Sequence, residues 1–121
     1  MPTIVHFEIP TDDMARAMRF YSQVFDWSIQ NAGMPGGEYY LIMTEGENPV
    51  NGGMMKRQHA QQGIVNYIGV PSVDEYASRV QQLGGNVVVP TSPIPGVGYF
   101  AIFQDTEGNV WGLFEDDSQA R

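Results

Sequence analysis

The stretch Val5-His6-Phe7-Glu8-Ile9-Pro10-Thr11-Asp12-Asp13, with the segment Met14 to Trp27 that it feeds, decides how the chain is read. Val5, Phe7 and Ile9 alternate with His6 and Glu8, the period of a strand with one apolar and one ionisable face. Met14, Ala17, Met18, Tyr21, Val24 and Phe25 then recur as one stripe of a 3.6-residue period, with Arg16, Arg19 and Gln23 off it. Laying that stripe on Val5, Phe7 and Ile9 leaves His6 and Glu8 on the opposite face of the sheet. That opposite face is where function is expected.

Working outward, Ser28 to Asn31 reads as a short strand and Ala32 to Gly37 as a Pro/Gly breaker. Tyr39 to Thr44 and Gly52 to Lys56 are strands, with a turn between them, and Gly53 marks weak packing or a close approach by another group. The polar run Arg57 to Gly63 is the linker, and its His59 is expected to face solvent. Ile64 to Val70 is the next strand. Ser72 opens a helix with Glu75 three places on, a capping pair, and Val73, Tyr76, Ala77, Val80 and Leu83 form its stripe up to Gly84-Gly85. Asn86 to Pro90 is a strand, Thr91 to Gly98 a second breaker, and Tyr99 to Gln104 and Val110 to Phe114 are strands around the turn Asp105 to Asn109.

The order of elements therefore repeats at a constant offset of 59 residues, placing His6 on Val65, Glu8 on Tyr67, Tyr40 on Tyr99 and Gly53 on Gly112. The expected fold is α+β: two tandem βαβββ modules, residues 1–56 and 64–121 with linker 57–63, forming a curled mixed sheet around a cleft. The chain of 121 residues suits a single such domain.

Composition narrows the function. Six basic residues against fourteen acidic ones give a net charge of -8, which repels a phosphate backbone, so no nucleic-acid partner is expected. Hydrophobic residues make up 42% in short runs, so no membrane span is expected. Cysteine is absent and no charged-then-apolar leader opens the sequence, which points to a cytoplasmic protein. No nucleophile elbow, phosphate loop or dinucleotide fingerprint occurs, arguing against Mg-ATP and NAD chemistry.

His6 to Tyr21, with Asp13 opening the helix and Phe20-Tyr21 near its end, resembles the first module of the vicinal oxygen chelate superfamily. That family includes glyoxalase I, bleomycin-resistance proteins and extradiol dioxygenases. Val70 to Gly85 ending in Leu-Gly-Gly, Ile94-Pro95-Gly96-Val97-Gly98, and Asp105-x-x-Gly108-Asn109 before the last strand extend the resemblance over nearly the whole chain. In the family's metal-using members, His, Glu or Gln donors on the first and last strands of each module hold a divalent ion. Carried across, those places are His6, Val65, Gly53 and Gly112, and three of them have no donor. Glu8 shares a face with His6, but one strand does not enclose an ion; Glu115 lies an odd three places beyond Gly112, on the other face unless a bulge intervenes. The resemblance thus implies a degenerate site: no metal ligand set and no cofactor.

The candidate site residues are His6 and Glu8 for acid/base catalysis, and His6, Glu8, Met55, Tyr67 and Phe114 for ligand contact. A close carboxylate is expected to raise the His6 pKa. The same pair also suits an inert hydrogen-bond network, and Tyr67 suits plain packing. Gly53 and Gly112, between walls that include Met55 and Phe114, suggest an apolar slot. Trp111 is expected under a helix, Met14 and Met18 in the core, and Met54 with Met55 on a tolerant surface. The breakers 32–37 and 91–98 read as rims or as ordinary turns. The leading expectation is a protein that binds a small apolar or aromatic molecule. The alternative is a glyoxalase-type lyase or isomerase that uses a metal, or a metal-free enzyme using His6 with Glu8. The resemblance further implies a homodimer.

Overall fold

The computed structural model describes residues 2–34 and 37–121. Its strands are β1 (Thr3–Thr11), β2 (Ser28–Asn31), β3 (Tyr39–Met43), β4 (Gly52–Lys56), β5 (Val65–Gly69), β6 (Asn86–Ile94), β7 (Gly98–Gln104) and β8 (Val110–Asp116); the helices are α1 (Met14–Phe25) and α2 (Val73–Gln82). The chain falls into two compact units, His6–Ile64 and a second that joins Val65–Arg121 to the opening residues up to Val5. Each unit is α+β, with one helix on a mixed sheet.

In the unit His6–Ile64 the strands lie in the order β2-β3-β4-β1, with β1 and β4 parallel and the other pairs antiparallel. Asp13 caps α1 by accepting the Arg16 amide at 3.0 Å, and the helix ends at Asp26 in the left-handed region, φ 57°. Met14, Ala17, Met18 and Tyr21 pack on buried Ile9, Ile42 and Met54, with Phe7, Ile29 and Tyr40 completing the core. Burying Ile42 and Met54 fully contributes about 1.5–3 kcal/mol each. The stripe stops short of its expected end: Val24 and Phe25 are more than half exposed, and the Phe25 ring instead lies tilted against that of Trp27, 5.0 Å between centroids. Met54 belongs to the core under α1 and not to a binding surface, because it alternates with Gly53 and Met55.

In the second unit the order is β5-β8-β7-β6, again with the first pair parallel. Val70, Val73, Ala101, Phe103 and Leu113 form the core, with Tyr76, Ala77, Val80 and Trp111 against it. Leu83, expected on the stripe, is 78% exposed, because α2 ends at Gln82 and Gly84 turns the chain with φ +97°. Ser72 accepts the Glu75 amide at 3.2 Å, while the Glu75 carboxylate pairs with Arg79 at 2.9 Å instead of reaching back to the cap.

The stretch Thr91–Ile94, expected as part of a breaker, continues β6. Register shifts between Val87 and Ser92 and a place at the end of the strand order let this strand carry Pro90 and Pro93. The turn is confined to residues 95–97. In the first breaker, residues 35 and 36 lie outside the described residues.

The offset of 59 holds where the helices and parallel pairs are concerned. Caps Asp13 and Ser72 match, and Glu8 pairs with Gly53 as Tyr67 pairs with Gly112. It fails in the hairpins. Gly53 faces Leu41 across β3, whereas Gly112 faces Ile102, two places beyond the expected Phe100. A five-residue turn joins β7 to β8 where eight residues join β3 to β4, and hairpin register follows turn length.

Candidate functional site

Strand alternation puts His6 and Glu8 on the side of β1 away from α1, with Gly53 and Met55 on the same side of β4 and Tyr39 and Leu41 on the same side of β3. Gly53 is central to this arrangement. A Cβ at that position would collide with the phenol end of Tyr39, so the absent side chain admits the tyrosine ring. The ring carries its hydroxyl to the two ionisable groups. Tyr39 Oη donates to Glu8 Oε2 at 2.8 Å and lies 2.9 Å from His6 Nε2, while Nε2 and Oε2 are 3.9 Å apart. A phenol has one proton, and here it goes to the carboxylate, so Nε2–H is the donor in the imidazole contact.

The imidazole and carboxylate side chains are 29% and 17% exposed. Burial holds the His6 pKa below its ordinary value and outweighs the Glu8 carboxylate, whose charge raises it. The expected upward shift is therefore reversed: loss of hydration counts for more than a carboxylate that shares its charge with a phenol. His6 is mostly neutral at pH 7, a state suited to accepting a proton or to hydrogen bonding.

The structure sets His6 and Glu8 side by side on the face where the alternation expects them and adds Tyr39, which the sequence offers only as a strand residue. Glycine 53 inside a strand was the available signal, since it marks close approach by another group. Met55 lies half-buried on this face, and Leu41 and Met43, 41% and 42% exposed, share it.

Tyr67 and Phe114 belong to the other unit. The Tyr67 ring is buried over Gly112 much as Tyr39 covers Gly53, so the space expected above each glycine is filled by an aromatic ring and not left as a slot. Phe114 lines an open depression of about 630 Å³ with Val5, Gly69, Val70, Pro71 and Asp116. Glu115 follows regular β7–β8 pairing without a bulge and turns to α2, where Oε1 accepts the Val73 amide at 2.9 Å. His59 sits exposed in the linker. A second depression, about 310 Å³, lies between Thr11, Asp12, Arg16, Phe20 and Arg57 in the first unit. Arg57 there is tied to Asp12 at 2.9 Å and to the Gln62 carbonyl.

Among the described residues no group of three or more His, Cys, Asp and Glu side chains converges as a metal cage, and no helix is long and apolar enough to cross a membrane.

Comparison with known proteins agrees with the element order. The chain is 26% identical over 121 residues to the provisionally named glyoxylase CFP32 of Mycobacterium bovis, matching 97% of this chain and 45% of that protein. It thus spans about half the length of that curated relative. It is 30% identical over 112 residues to a glyoxylase-like domain-containing protein of Didymella fabae, covering 88% of each. Among solved structures, hypothetical protein BH1468 of Bacillus halodurans superposes with a TM-score of 0.70 at 17% identity over 99% of this chain and 98% of that one, a likeness of fold. The family profile named Glyoxalase/Bleomycin resistance protein/Dioxygenase superfamily matches residues 3–113, and the chain belongs to that superfamily.

Proposed function

We propose that this protein binds a small apolar or aromatic molecule without a resident metal ion, on the sheet face that carries His6, Glu8, Tyr39, Leu41 and Met55. The observation that carries the reading is the hydrogen-bonded set His6–Tyr39–Glu8 beside exposed apolar side chains: polar anchors that fix an orientation, next to a surface that gains from being covered. Tyr67 and Phe114 stand on the equivalent face of the second unit and are its candidate contacts. The divalent ion used by some members of the superfamily does not fit the donors here. His6 and Glu8 are both engaged by the Tyr39 phenol, and Gly53, Val65 and Gly112 have no donor side chain. The same reading takes the protein as a cytoplasmic homodimer whose partner is a small molecule and not nucleic acid.

The test uses the neutral fluorescent aromatic N-phenylnaphthylamine and elemental analysis. Saturable one-to-one binding to metal-free protein, weakened in Leu41→Asp and Met55→Asp, is expected. Absence of binding, or binding untouched by both substitutions, would overturn the proposal. So would stoichiometric metal that disappears in His6→Ala, which would favour a lyase or isomerase of the glyoxalase type. Sedimentation at micromolar concentration checks the dimer.

A second reading draws on the same network. A neutral imidazole joined through a phenol to a carboxylate can pass a proton, so His6 with Glu8 would serve a metal-free acid/base enzyme. Turnover lost in Glu8→Gln with ligand affinity retained would distinguish this from binding alone.

A further inference from the structure

We infer that the Tyr39 side chain is a plug that keeps divalent cations off His6 and Glu8, so that the chain is blocked against metal and not merely short of ligands. The inference rests on the metal-independent reading above and adds to it a cause.

The geometry is specific. Two donors bound to one first-row cation at about 2.0–2.2 Å lie no more than about 4.4 Å apart. His6 Nε2 and Glu8 Oε2, 3.9 Å apart, are within that reach and already share one face of β1. Tyr39 Oη bonds to both, at 2.9 and 2.8 Å, so an ion bridging the pair would have to compete with it for them. Because it donates to Glu8 and meets His6, the phenol serves the pair as a hydrogen-bond partner and not as an anionic ligand.

The ring blocks the third donor as well. Gly53 is the β4 residue paired with Glu8, so a carboxylate there would face the same spot as His6 and Glu8. Its Cβ, however, would run into the Tyr39 hydroxyl and the ring carbon that bears it. A glutamate at 53 therefore has to displace the Tyr39 ring before it can complete the set. Removing the tyrosine clears both obstacles at once: it takes the phenol away from Nε2 and Oε2, and it opens the space over residue 53. Three donors on two neighbouring strands would then converge on one face, as open-sided N/O sites for divalent transition metals require.

The test is nickel binding by titration calorimetry, on wild type, Tyr39→Phe, Tyr39→Ala, Gly53→Glu and Tyr39→Ala/Gly53→Glu, with folding checked by circular dichroism. Nickel binding absent in the wild type, weak in Tyr39→Ala, and strong, one-to-one and lost on His6→Ala in the double variant is the expected result. Gly53→Glu alone should bind nickel more weakly than the double variant, because it must hold the displaced Tyr39 ring aside. Wild-type binding that Tyr39→Phe abolishes would make the phenol a ligand and overturn the inference. So would nickel binding in Gly53→Glu alone as tight as in the double variant, or no gain over wild type in folded Tyr39→Ala. If the wild type takes up no aromatic probe while the double variant gains nickel, the binding proposal falls and this one stands.

Discussion

Glu115 Oε1 accepts the backbone amide of Val73 at 2.9 Å, so a residue on the last strand caps the first turn of α2. Val73 is fully buried, and its amide is one of the four that a helix leaves without an internal partner. A carboxylate at this place also meets the positive end of the helix dipole.

Glu115→Ala should therefore destabilise the chain by about 1 kcal/mol, and Glu115→Gln, which keeps an acceptor, by less. Urea midpoints of the three proteins check this. Equal midpoints would mean that Ser72, which accepts the Glu75 amide, is sufficient to start the helix.

Gly53 and Gly112 each lie beneath a tyrosine, but the two rings differ in their freedom to move. The atoms that a Cβ at 112 would meet are Cγ, Cδ2 and Cε2 of Tyr67, near the base of the ring; at 53 they are at the hydroxyl end of Tyr39. Gly112→Ala should cost about 1–3 kcal/mol by overpacking. Gly53→Ala should cost less, because the end of a side chain swings more easily, but it should break the contacts to His6 and Glu8. Thermal melts of both variants, with the His6 imidazole shifts followed by NMR, separate the two effects.

Removing only the hydroxyl gives a third prediction. Tyr39→Phe keeps the ring over Gly53 and deletes the hydrogen bonds to His6 and Glu8. At about 0.5–1.5 kcal/mol for each bond, the loss of stability should be about 1–3 kcal/mol. Chemical denaturation measures it, and a change under a few tenths would show that the network contributes nothing net.

The pH dependence has a definite sign. His6 in the folded chain accepts a proton less readily than at its ordinary value of 6.5, because it is largely buried. The unfolded chain therefore binds more protons as pH falls through that range, and stability falls with it. The contribution of the neutral imidazole is complete above about 6.5 and is lost progressively below it, towards the depressed folded value. Acidification from pH 7.5 to 5.5 should lower the wild-type urea midpoint more than that of His6→Gln, whose amide still donates to Tyr39. A steeper loss in His6→Gln would contradict the assignment.

Much of the fold could be read from local pattern. The alternation in Val5 to Ile9, the stripe from Met14 to Tyr21 and the caps Asp13 and Ser72 depend on neighbours in sequence, and they locate β1, α1 and α2 to within a few residues. The ends of the stripes could not be read this way. Val24, Phe25 and Leu83 fit the period yet are more than half exposed, because a helix buries only the length that its sheet can cover. Thr91 to Ile94 reads as a breaker because of Pro93 and the Pro95-Gly96 that follows, and only pairing with β7, with its register shifts, makes it a strand.

By itself the sequence determined the repeated order of elements and which side of β1 carries His6 and Glu8, since both follow from backbone periodicity and from steric rules that act over a few residues. Tertiary structure alone decided what those two groups touch. Tyr39 is 33 residues from His6 and 31 from Glu8, and it meets them because the β3–β4 pairing sets its ring over a glycine. Burial at that meeting point also reversed the expected shift of the imidazole, since desolvation depends on every atom nearby and not on the one charge that spacing reveals.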